Sequence, residues 1–209
     1  MRAGACAAAA FGLSQCASES SSSVAADVVV SIKEQKLAMY DRSGSLLGKY
    51  PVSTSRYGIS DRPGTYGTPL GLHEVVAKIG HGAPAGAVFK NRRQTGEVIT
   101  PGTPGRDPIV SRIMWLRGLE PQNKNAYNRA IYIHGTADEA DIGRPVSFGC
   151  IRMKSRDVID LFNRLPIGSR ILVSEETLPA SVAASTTPVP VPRTTPSSRP
   201  PLQLSLIHI

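Results

Sequence analysis

The 209-residue chain carries 24 Lys and Arg against 16 Asp and Glu, a formal charge of +8, and is 41% hydrophobic but only 5% aromatic. This composition supports one packed domain of ordinary size and excludes wholesale disorder, and no run of about eighteen apolar residues exists to form a transmembrane helix. The positive surplus suggests an anionic partner, but rings are too few for base stacking and no helix-turn-helix or zinc-finger spacing is present, so nucleic acid is not expected.

Residues 1–26 read as a leader. Arg2 supplies a positive start, Ala3 to Leu13 is small and apolar, and serines follow from Ser18 to Ser23, the layout of a short bacterial export signal. Leu13-Ser14-Gln15-Cys16 is similar to a lipoprotein attachment box, in which Cys16 would be lipidated and anchor the chain to a membrane; Gln15 departs from the small residue usual there. A mis-set start or an uncleaved arm is the competing reading.

The body spans 27–175 and is expected to be mainly β. Val28-Val29-Val30-Ser31-Ile32 and Lys36 to Tyr40 read as a hairpin, then Asp41-Arg42-Ser43-Gly44 as a turn into a strand at Leu46 to Val52, because short β-branched or apolar runs are broken by turn residues. Further strands are expected at His73 to Ile79, Ile109 to Leu116, Ala130 to His134 and Ser169 to Val173. Arg92-Arg93 reads as a solvated loop. From Lys154 to Leu165 the apolar residues Val158, Ile159, Leu161, Phe162 and Leu165 fall on one helical face, with Ser155 as N-cap and Pro166 as the stop. Residues 176–209 turn to Ala, Ser, Thr and Pro and read as an extended flexible tail, whose last residues, Leu204 to Ile209, fit nothing before them and resemble translated adaptor sequence.

The three cysteines, Cys6, Cys16 and Cys150, give the body no disulfide framework. The neighbours of Cys150 decide its reading. Ile131-Tyr132-Ile133-His134-Gly135-Thr136 puts a histidine at a strand end, and Ser147-Phe148-Gly149-Cys150-Ile151-Arg152 puts a cysteine shortly before a helix. These are the parts of a thiol nucleophile and its base. A lowered thiol pKa is expected, from the imidazole, the helix N-terminus and Arg152. Gly149 lets a ligand approach the backbone, where successive N–H groups can face an oxyanion. His73 and His81 have no Cys or His at ligand spacing, so structural or surface roles are expected, with no metal and no cofactor.

The pattern His134-Gly135, a spacer, Ser147, Gly149-Cys150 and Arg152 resembles the L,D-transpeptidase catalytic domain (YkuD type) of bacterial cell-wall enzymes. Phe148 departs from it where many members carry a second histidine. The likeness extends to the opening hairpin, to Thr68-Pro69-Leu70-Gly71 as a T-P-x-G element, and to Ile79-Gly80 and Ala83 to Gly86, covering about Asp27 to Ser174. It implies a mixed, mainly β, sandwich-like domain with one helix after the cysteine. It implies Cys150 as nucleophile, His134 as general base, the Gly135 carbonyl as orienter of the imidazole, and Ser147 as a brace for the loop. Backbone N–H groups of Phe148, Gly149 and Cys150 would form the oxyanion site. Arg152 would bind a substrate carboxylate or form a structural salt bridge, and Tyr132 would pack. The partner implied is the peptidoglycan stem peptide and the setting is the periplasm or cell envelope of a bacterium, with 3→3 cross-linking and carbapenem sensitivity as the expected chemistry. A hydrolase on the same fold, with water as acceptor, and a non-catalytic wall-binding module are the competing readings.

Overall fold

The computed structural model describes residues 26–182 apart from residue 104. The leader, with Cys6 and Cys16, and the chain from residue 183 onward lie outside the described residues. Ten strands form one sheet: β1 (Val28–Ser31), β2 (Lys36–Tyr40), β3 (Leu46–Pro51), β4 (Gly71–Ile79), β5 (Ala87–Lys90), β6 (Arg93–Val98), β7 (Ile109–Gly118), β8 (Tyr132–Thr136), β9 (Ile151–Met153) and β10 (Arg170–Ser174). One α-helix, α1 (Ser155–Arg164), is present among the described residues. The domain is mainly β, as its sequence implies.

The strand order is β3-β2-β1-β10-β4-β7-β5-β6, and β8 pairs with both β7 and β9. β1/β10 and β8/β9 are parallel; the other pairs are antiparallel. Past β3 the chain bridges back to β9 at Ser53↔Arg152 and to the loop before it at Ser55↔Ser147. The sheet therefore curls onto itself, with its largest hydrophobic cluster inside the curl. Val28 and Val30 of β1, Met114 and Leu116 of β7, Ile133 of β8, Ile151 and Met153 of β9 and Val158, Leu161 and Phe162 of α1 meet inside it. The unbroken valine run of β1 has a physical reason. Val29 faces the other side, where Ala38, Tyr40, Leu178 and Val182 cover it, so both faces of the strand are dry.

Two expectations need adjusting. Arg92-Arg93 is not a plain loop. Asn91 and Arg92 both take positive φ, at 51° and 64°, the geometry of a tight hairpin turn, and join β5 to β6. Every residue of β6 is exposed, so no apolar alternation announced it. Packing also carries past the boundary expected at residue 175: the Tyr40 hydroxyl donates to the Pro179 carbonyl at 2.7 Å, the Leu178 N–H donates to Glu34 at 3.1 Å, and Ser45 bridges Ser181.

Candidate active site

The site forms where β7, β8 and β9 lie side by side. From Ile131, just before β8, the chain alternates: Ile131 and Ile133 enter the core with Ile151 and Met153, so Tyr132 and His134 face the other side. β9 runs parallel with His134 opposite Arg152, which sets Cys150, one residue before β9, opposite Tyr132. Cys150 accordingly packs with Tyr132, Ala87, Phe89 and Ile113 outside the main core. His134 and Cys150 thus share one face as diagonal neighbours on adjacent strands. His134 sits in the middle of β8 rather than at its end, and Cys150 leads into β9; α1 starts only at Ser155.

Gly135 is dictated by its neighbour strand. β7 bulges between Val110 and Ile113, with Ser111 at φ 66°, and a Cβ on Gly135 would lie 2.6 Å from the Val110 carbonyl oxygen and 3.1 Å from Val158. The absence of a side chain lets the strand lie flat there. The Gly135 carbonyl then stands 2.8 Å from His134 Nδ1. With Nδ1–H donating to it, Nε2 carries the free lone pair. The ring is buried.

The loop before Cys150 is a knot of short bonds. Ser147 Oγ donates to the Cys150 carbonyl at 2.6 Å and accepts the Gly149 N–H at 3.2 Å. That consumes one N–H expected to face an oxyanion. The N–H groups of Phe148 and Cys150 make no hydrogen bond to protein among the described residues and are the donors left for that task. Gly149, at φ 117°, takes a conformation that L side chains avoid. The Phe148 side chain is half exposed and points to solvent.

Protonation departs from the expectation of a lowered thiol pKa. Burial pushes the Cys150 thiol up, opposed by the Tyr132 N–H and by the positive charges of Arg152 and Arg129. Burial pushes His134 down to about 4, against the Gly135 hydrogen bond and with help from Arg152. Both shifts favour the neutral thiol and the neutral imidazole near pH 7. Helix α1 begins beyond β9; its first N–H, at Ser155, bonds to Glu139 at 2.7 Å, and Lys154 rather than Ser155 occupies the N-cap position. The sulfur donates to the Ala130 carbonyl at 3.5 Å and accepts the Tyr132 N–H at 3.4 Å.

Arg152 is committed inside the protein. It pairs with Asp107, whose other oxygen accepts the Thr136 hydroxyl, so the salt-bridge alternative describes its contacts. Three contributors escaped the sequence reading: Asp107, the Tyr132 N–H and Arg129, whose guanidinium lies near enough to act on the thiol. Register alone could have signalled Tyr132; Asp107 and Arg129 sit on loops whose return to the site leaves no local pattern. His73 is buried with Nδ1 2.9 Å from the Gly71 carbonyl, and His81 is exposed. Among the described residues no group of three His, Cys, Asp or Glu could hold a metal ion.

A family model of the L,D-transpeptidase catalytic domain, YkuD, matches residues 25–173. The chain is 42% identical over 53 residues to the putative L,D-transpeptidase YqjB of Bacillus subtilis, covering 25% of this chain and 30% of that protein. It is 30% identical over 132 residues to the probable L,D-transpeptidase ErfK/SrfK of Salmonella typhimurium, covering 56% of this chain and 43% of that protein. These alignments span less than half the length of either relative. Among solved structures, an L,D-transpeptidase from Mycobacterium smegmatis aligns at 20% identity with a TM-score of 0.45, covering 71% of this chain and 59% of that one. The motif, the curled sheet with its helix and the family match over most of the folded body agree: the chain belongs to the L,D-transpeptidase catalytic domain family.

Proposed function

We propose that the protein is a peptidoglycan L,D-transpeptidase of the cell envelope that forms 3→3 cross-links through a thioester on Cys150. The observation that carries this reading is the placement of Cys150 and His134 on one face of the β8/β9 pair, with the imidazole fixed by the Gly135 carbonyl. As Sγ attacks the carbonyl between the third and fourth stem residues, its proton passes to His134 Nε2, so no standing ion pair is needed. The oxyanion meets the Phe148 and Cys150 N–H groups. The C–N bond breaks, His134 returns the proton to the leaving D-Ala amine, and a thioester remains. The side-chain amine of a third residue on another stem then attacks, losing its proton to His134, and the thiol is released.

Incubating the purified protein with tetrapeptide muropeptides and analysing them by mass spectrometry tests this. Cross-linked dimers with loss of D-Ala are expected. Tripeptides alone would make the protein a hydrolase, and unchanged substrate would favour a wall-binding module.

A further inference from the structure

The rings of Tyr57, Tyr66 and Phe148 form a surface cluster that the acyl-transfer chemistry does not use. Their ring centroids lie 5.5, 5.6 and 5.6 Å apart, with the rings tilted or edge-on to one another. They are 55%, 55% and 51% exposed, and the Arg56 guanidinium lies over the Phe148 ring at 5.3 Å. Single exposed rings are ordinary on a protein surface. A contiguous group is different, because exposed apolar area forgoes about 25 cal/mol per Å² of burial and such patches mark contact sites.

The cluster is held in place. Arg129, itself nearly buried, donates to the carbonyls of Ser60, Thr65 and Gly67 at 2.6, 3.0 and 2.8 Å and so pins the loop that carries Tyr66. Ser55 Oγ donates to the Tyr66 carbonyl at 2.6 Å. Arg56 donates to the Val146 carbonyl through Nε and Nη2, at 3.2 and 3.0 Å. The rings are therefore presented in advance of any ligand, which lowers the ordering cost of binding.

Beside them runs a groove of about 510 Å³, lined among others by Pro63, Tyr66, Asn128 and Phe148, a size typical of ligand sites. No carboxylate lines it, and its one cation, Arg129, is saturated by protein contacts. The exposed Asn128 amide has no hydrogen-bond partner among the described residues. Ring faces, a free amide and little available charge suit a neutral polyhydroxylated ring, whose C–H face stacks on an aromatic and whose hydroxyl or acetamido groups meet the amide.

We infer that this aromatic groove binds a saccharide unit of the glycan strand, beside the thiol that handles the attached stem. The identity of the saccharide rests on the acyl-transfer reading above; the aromatic argument does not.

The test is calorimetric titration of the full chain with chitotetraose, a soluble oligomer of β-1,4-linked N-acetylglucosamine, and separately with the free tetrapeptide stem. Saturable binding of chitotetraose is expected, weakened roughly fivefold or more in Tyr57→Ala and Tyr66→Ala, with melting temperature and circular dichroism matching the parent. Absence of binding to the parent protein overturns the inference, and that arm is decisive even if a variant fails to fold. Unchanged affinity in both tyrosine variants overturns it too, as does a free tetrapeptide whose binding alone depends on these rings. Carbapenem acylation of Cys150, read on the same preparation, separates the two readings. Acylation without saccharide binding removes this inference alone, and saccharide binding without acylation removes the acyl-transfer reading alone.

Discussion

The Thr68 hydroxyl donates to the Gly149 carbonyl at 3.0 Å and accepts the Ser55 N–H, also at 3.0 Å. One oxygen atom thus ties the segment after β3, the T-P-x-G element and the loop that carries Cys150. Thr68→Val keeps the shape but leaves a buried carbonyl and a buried N–H unpaired, a cost of about 1 to 3 kcal/mol. Urea denaturation should show that loss, and iodoacetamide labelling of Cys150 should change with it. Thr68→Ser should recover most of both.

Carbapenem acylation tests directly whether Cys150 acts as the nucleophile. One added drug mass is expected after incubation with imipenem, absent in Cys150→Ser. In His134→Ala acylation should slow by about two orders of magnitude or more, the usual contribution of a positioned base. An unmodified mass in the folded parent protein at neutral pH would remove the thiol from the mechanism.

The protonation state predicts a particular pH profile for simple alkylation. Only the thiolate reacts with iodoacetamide, and burial pushes the Cys150 thiol up while His134, at about 4, stays neutral near pH 7. The rate should therefore rise roughly tenfold per pH unit across the neutral range without levelling. A plateau below neutrality would reveal a preformed thiolate–imidazolium pair instead.

Acid stability follows from the same histidine. Its folded pKa of about 4 lies below the ordinary value of about 6.5, so on acidification the unfolded chain takes up the proton first. Its contribution is complete above about pH 6.5 and is lost as pH falls towards 4, by up to about 3 kcal/mol. Buried His73 is shifted in the same direction. Urea midpoints measured across that window should fall, and less steeply in His134→Gln.

Cutting the chain after Glu176 should lower the melting temperature. Leu178 and Val182 cover Val29, Ala38 and Tyr40, and their loss exposes apolar surface worth about 1 to 3 kcal/mol. Restoring residues 177–182 should recover the stability.

The sequence by itself determined the β class, the hairpin of β1 and β2, the strands β4, β7 and β10, the helix and the pairing of His134 with Cys150 as candidates. Each rests on a local signal: alternation or apolar runs for strands, the Val158, Leu161, Phe162 and Leu165 face for α1, and a histidine–glycine and glycine–cysteine pattern for the site. Only the tertiary structure decided what surrounds them. β6 is exposed throughout and β9 is three residues long, so neither carries a pattern to read. The contacts of Asp107 with Arg152 and of Thr68 with Gly149 span 45 and 81 residues, and Arg129 acts on Cys150 from 21 residues away in the chain; all exist only once the sheet has curled. Protonation was decided there as well, because the thiol pKa depends on how deeply folding buries Cys150. Burial outweighs the nearby cations, and no reading of neighbouring residue types could weigh one against the other.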